Sequence, residues 1–145
     1  LDDENMKTFI RWLTVSAAVA IAASSATVSL SQAIVAITPN SQTIELRGTS
    51  GGSKKDNSCA GYVSPSPNHL VQVAEDTNLQ ITLQSEGQPA LLIQNPAGQS
   101  FCVPADNYSN GKINIPGRWT KGTYKIFVGD RANGRFPYTL SIARE

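Results

Sequence analysis

Residues 117–143, GRWTKGTYKIFVGDRANGRFPYTLSIA, hold the clearest structural signal in the chain. In the first half, Tyr124, Ile126 and Val128 alternate with Thr123 and Lys125, the period of a strand with one face buried. Phe127 breaks the polar face and calls for cover of its own. In the second half, Tyr138, Leu140 and Ile142 alternate with Thr139 and Ser141. Between the runs lies DRANGR, whose Asn133-Gly134 supplies a turn, so the stretch predicts two strands joined as a β-hairpin. Lys121-Gly122 turns the chain into the first of them.

The same alternation recurs upstream. Ile44 and Leu46 alternate with Thr43, Glu45 and Arg47, and Leu79, Ile81 and Leu83 alternate with Gln80, Thr82 and Gln84. Ala90-Leu91-Leu92-Ile93 is a continuous apolar run, short enough for a strand covered on both faces. Asn95-Pro96-Ala97-Gly98 matches a type I turn. About nine short strands separated by turns, with no helical period between them, predict an all-β fold. The expected architecture is an antiparallel β-sandwich of jelly-roll type, with residues 124–128 and 138–142 as one wall facing 79–83 and 91–93. Residues 48–58, rich in Gly, Ser and Lys, read as a surface loop without a phosphate-binding context, in an N-terminal part of the domain (34–58) expected to be partly flexible.

The first thirty-three residues have a different character. Lys7 and Arg11 precede an uncharged run from Trp12 to Ala33, and Ser31-Gln32-Ala33 offers small side chains at a cut site. This is the pattern of a secretory signal peptide, expected over residues 6–33, with a retained membrane anchor as the alternative. Residues 1–5, acidic and ahead of Met6, read as an upstream misreading. A single β domain then covers 34–145. Cys59 and Cys102 both fall in it, and export makes one disulfide the simplest pairing, worth roughly 4 kcal/mol in the chain-entropy model. The expected compartment is the periplasm, the exterior or, in a cyanobacterium, the thylakoid lumen.

The net charge of +1 argues against a nucleic-acid partner, and no membrane association is expected once the leader is removed. No catalytic constellation is read: His69 is the sole histidine, and no nucleophile motif accompanies it. No cofactor is expected. If a cation binds, calcium suits the loop carboxylates Asp76, Asp106 and Asp130, although Asp also favours turns for conformational reasons. Trp119, Lys125, Arg131, Arg135 and Tyr108 interleave cations with aromatics and form the candidate ligand-binding set. They suggest a non-catalytic module for an envelope polysaccharide, a matrix component or an exported protein partner. The alternatives are an accessory subunit of an envelope or lumenal complex, its partner burying Phe127 or Phe136, and a small hydrolase using His69.

The stretches NLQITLQSEG, ALLIQNPAGQ, GTYKIFVG and YTLSI, in that order, resemble the bacterial pre-peptidase C-terminal (PPC) domain. That resemblance implies a small jelly-roll β-sandwich, a type found on secreted peptidases and as short exported cyanobacterial proteins. Where such domains carry an acidic loop or calcium, this chain has Gly87-Gln88-Pro89 and Cys102-Val103-Pro104-Ala105-Asp106, in which only Asp106 is acidic. The resemblance therefore implies a stand-alone exported module with a doubtful calcium site.

Overall fold

The computed structural model describes residues 33–145; the leader and the upstream segment expected from the sequence lie outside the described residues. Eleven strands follow one another: β1 (Ile34–Ile37), β2 (Ile44–Thr49), β3 (Lys54–Lys55), β4 (Tyr62–Val63), β5 (His69–Val73), β6 (Thr77–Ser85), β7 (Pro89–Gln94), β8 (Ser100–Pro104), β9 (Lys112–Trp119), β10 (Gly122–Asp130) and β11 (Pro137–Arg144). They build the expected sandwich. One sheet has the order β2-β11-β6-β9. The other is centred on β10, with β5 and then β1 on one flank and β7 and then β8 on the other, while β4 and β3 continue beyond β5. Pairing is antiparallel except for β1 against β5.

The residues opened on above do not form a hairpin. β10 pairs with β4, β5 and β7, whereas β11 pairs with β2 and β6 in the opposite sheet. Residues 131–136 therefore cross from one sheet to the other, and the expected single wall is divided. Tyr124, Ile126 and Val128 stand with Leu91 and Ile93 on one inner face (Ile126 opposite Ile93, Val128 opposite Leu91). Tyr138, Leu140 and Ile142 stand with Leu79, Ile81 and Leu83 on the other. Asn-Gly supplies a turn locally, but it does not choose the strand's partner.

A second, smaller cluster lies on the outer face of the β10 sheet. Phe127 opposite Leu92, and Leu92 opposite Cys102, form a row across β10, β7 and β8. Ala60, Val63 and Ala90 complete it. This is why residues 90–93 read as apolar without a break: Leu91 and Ile93 enter the main core, while Ala90 and Leu92 enter this one. The Cys59–Cys102 disulfide, spanning 43 residues with Cα atoms 5.8 Å apart, holds residues 59–63 over that face. Phe127 thus receives its cover from within the chain.

The Gly- and Ser-rich segment is not a loose surface loop throughout. Ser50, Gly51 and Gly52 are buried, and Lys54-Lys55 pairs with β4 as β3. Periodicity cannot reveal a strand of two exposed lysines.

Candidate functional site

The sandwich is open along the side where edge strands β8 and β9, one from each sheet, face each other. A cleft of about 360 Å³ lies there, lined by Asn95, Phe101, Pro116, Arg118, Trp119 and Tyr124 among others. Its floor is rigid. Trp119 packs on Tyr124 with ring centroids 4.4 Å apart at 56°, and the Tyr124 hydroxyl donates to Thr120 O at 2.8 Å. Lys121 N–H donates to Asp76 Oδ1 at 2.8 Å, fixing the turn between β9 and β10.

The rim contains an anomaly. Phe101 pairs with Ile93, and in a sheet directly opposed residues share a face, so Phe101 has the parity of a core residue. Ile93 is fully buried, yet Phe101, on the edge strand β8, is 41% exposed and lines the cleft. An aromatic ring on the inner face, left open beside a guanidinium and an amide, can stack on a flat ligand face while polar neighbours bind its edges.

The sequence-derived binding residues do not converge on this cleft. Trp119 is there, but at 4% exposure it is core that forms the floor, not a free platform. Lys125 lies on the outer face of β10, Arg131 beside the Gly87–Gln88 turn, and Arg135 at the corner near Ser50. Tyr108 is 93% exposed in the loop after β8. Arg118, one of the basic residues around Trp119 in the sequence, does line the cleft; Phe101 was not singled out, and the signal that could have found it is its even spacing from Val103, which packs against the main core. Phe136 lies over Gly87 and Gly134 and Phe127 in the outer cluster, each half-buried within the chain.

The three calcium candidates hold turns together. Asp76 accepts from Lys121, and Asp106 accepts from Tyr108 N–H at 2.9 Å. Asp130 is fully buried and accepts three backbone N–H groups: Ala132 at 2.8 Å and Gly134 at 2.9 Å on Oδ1, Gln88 at 3.1 Å on Oδ2. Among the described residues no three His, Cys, Asp or Glu side chains gather to hold a metal.

His69, at the head of β5, reaches across to β11. Its Nε2 and the Tyr138 hydroxyl share a hydrogen bond of 2.6 Å, and the rings meet edge to face at 5.8 Å. Gly48 makes room for this contact, since a Cβ there would lie 2.5 Å from the Tyr138 oxygen. Burial lowers the His69 pKa and pushes that of Tyr138 up to about 12. Both groups are thus held neutral and tie the two sheets together. The partner of His69 is a phenol, not a serine, and the arrangement resembles a structural tie more than a nucleophile–base pair.

No protein-family profile matches the chain. An uncharacterized protein of Synechococcus elongatus is 30% identical over 121 residues, covering 80% of this chain and 87% of the relative. The chain belongs to the family of that cyanobacterial protein. Among solved structures, the pre-peptidase C-terminal domain of the Bacillus anthracis collagenase superposes with a TM-score of 0.52 at 16% identity, over 77% of this chain and 95% of that domain. The fold of this family member is therefore PPC-like. PliG, a periplasmic inhibitor of g-type lysozyme from Aeromonas hydrophila, aligns with a TM-score of 0.42 at 14% identity, over 77% of this chain and 96% of PliG.

Proposed function

We propose that this protein is an exported, non-catalytic binding module that holds a glycan of the cell envelope in the β8–β9 cleft. The observation that carries this reading is Phe101: an inner-face aromatic left 41% exposed, beside Arg118 and Asn95 and above the Trp119–Tyr124 pair. Sugar rings present an apolar face and a rim of hydroxyls, which such a surface complements without rearrangement. The Cys59–Cys102 bridge supports an oxidising compartment, as expected for an exported domain. The PPC-like fold supports a module that binds and does not catalyse.

The test is retention of the full chain on protein-free envelope polysaccharide, with Phe101→Ala/Arg118→Ala as the variant. Both side chains are exposed, so the variant should keep its melting temperature and lose retention. Unchanged retention would remove the cleft from the proposal. A protein partner is the second reading, favoured by the exposed edges of β8 and β9 flanking the same cleft. It predicts no retention on the polysaccharide and co-purification with one protein, abolished by the same substitutions.

A further inference from the structure

The corner where β2 ends beside the β10–β11 crossing carries a second concavity, towards the opposite end of β10 from the cleft. It is built rigidly. Ser50 N–H donates to Phe136 O at 2.8 Å, Gly51 N–H to Val128 O at 3.0 Å, and Phe136 N–H to Ser50 Oγ at 3.2 Å. Gly51 has a φ of +78°, and a Cβ on Gly52 would lie 2.2 Å from the Val63 carbonyl oxygen, so only glycine lets this segment pack so closely against β4. The hollow measures about 300 Å³ and is lined by Ser50, Gly51, Gly52, Ser53, Ser64 and Arg135 among others.

Its chemistry is one-sided. Arg135 is the only ionisable residue in the lining, and its guanidinium has donors and no acceptor. Lys54 and Lys55 follow immediately on β3, both exposed. Of the neighbouring carboxylates, Asp130 is buried and engaged by three backbone N–H groups, and Asp56, next to Lys55, accepts from the Ser58 amide and hydroxyl. Ser50 is fully buried; its oxygen accepts the Phe136 N–H, and among the described residues its hydroxyl donates to no acceptor. The Gly52 and Ser53 amides take no part in the hydrogen bonds that fix this corner. The Thr49 carbonyl, an acceptor at the rim, is met by Asn68 Nδ2 at 3.4 Å. A wall of donors with a fixed cation selects a ligand that offers acceptors and negative charge.

We infer that this hollow is an oxyanion site for a sulfate or phosphate group, free or esterified to a sugar. Arg135 supplies the charge and a forked pair of donors, and the Gly52 and Ser53 amides with the Ser50 and Ser64 hydroxyls supply the remaining contacts. The site is separate from the β8–β9 cleft and stands whether or not that cleft binds a glycan.

The experiment titrates the isotope-labelled full chain with sodium sulfate and sodium phosphate, against sodium chloride at matched ionic strength. The Gly51, Gly52 and Ser53 amide resonances should shift saturably with the oxyanions and not with chloride. Arg135→Ala should weaken binding about tenfold or more, with Arg135→Lys between it and the parent. A hexose phosphate and a hexose sulfate, compared with the unmodified hexose, identify the source. Tighter binding of the esters than of the free ions marks a sugar-linked anion, equal binding marks the inorganic ion, and either supports the site. Equal shifts with chloride, or undiminished binding by a folded Arg135→Ala protein, would overturn it. If Arg135→Ala does not fold, Ser64→Ala takes its place, with weakened binding expected and unchanged binding refuting.

Discussion

Replacing Asp130 by asparagine changes one oxygen into an amide nitrogen at the point where the two sheets are joined. The carboxylate sits fully buried at the end of β10 and accepts N–H groups from Gln88, Ala132 and Gly134. Its job is to pin the β6–β7 turn to the segment that crosses between sheets. Asparagine can offer its remaining oxygen to Ala132 and Gly134, but its NH₂ then faces the Gln88 N–H, donor against donor. One hydrogen bond to a charged group is lost, worth about 1.5–3 kcal/mol, and the two that remain lose roughly half their strength. Relief from burying a charge offsets part of this, leaving a net cost of about 3 kcal/mol. With a urea slope of about 1.5 kcal/mol/M for a domain of this size, the unfolding midpoint should fall by about 2 M at unchanged slope. Asp130→Ala, which leaves three donors without the carboxylate, should cost more, about 4 kcal/mol, moderated because Ala132 and Gln88 are within reach of water. An Asp130→Asn protein within about 0.5 kcal/mol of the parent would refute the claim that this carboxylate holds the crossing together.

Trp119→Ala should behave as a core truncation, costing about 3–5 kcal/mol in urea unfolding, because the indole is buried against Tyr124; a cost near zero would mean that the side chain is not part of the core. Removing the disulfide by Cys59→Ser/Cys102→Ser should lower stability by about 2–4 kcal/mol and raise proteolytic cleavage around residue 60, since the bridge holds that segment over Phe127 and Leu92. The His69–Tyr138 tie should set both pH limits of stability. The folded state disfavours a charged imidazole, so the unfolded chain takes up the proton first. Stability is then full above pH 6.5, falls as the pH drops through that value, and levels off below the lowered folded pKa. At the alkaline end the folded state keeps the phenol proton that the unfolded chain releases above pH 10.0, so stability falls as the pH climbs from there towards 12. Thermal melts across pH should show both slopes, and Tyr138→Phe should abolish the alkaline one.

The strands were legible wherever one face is buried, because burial imposes a period of two. Leu79, Ile81 and Leu83, or Tyr138, Leu140 and Ile142, announce themselves in this way, and the unbroken Ala90–Ile93 run announces cover on both sides. The disulfide was expected from two cysteines in one domain read as exported. Partner choice was not legible. Nothing local in DRANGR distinguishes a hairpin from a crossing, since the difference lies in what pairs with β10 sixty residues upstream, at His69. The candidate site was hidden for the same reason. Phe101 carries the parity of a buried residue, and only its place on an edge strand beside the cleft leaves it open. Conversely Trp119, beside Arg118, could be read from the sequence as a binding aromatic or as core, and the sheets enclose it.

The division of β10 and β11 between sheets has a further consequence for synthesis. β10 lies at the heart of one sheet and β11 between β2 and β6 in the other. A nascent chain lacking residues 122–144 therefore has flanks without centres: β10 completes the first sheet and β11 the second. The pairs β1–β5, β7–β8 and β6–β9 are complete before residue 122, but the two layers can close on each other only once both final strands are present.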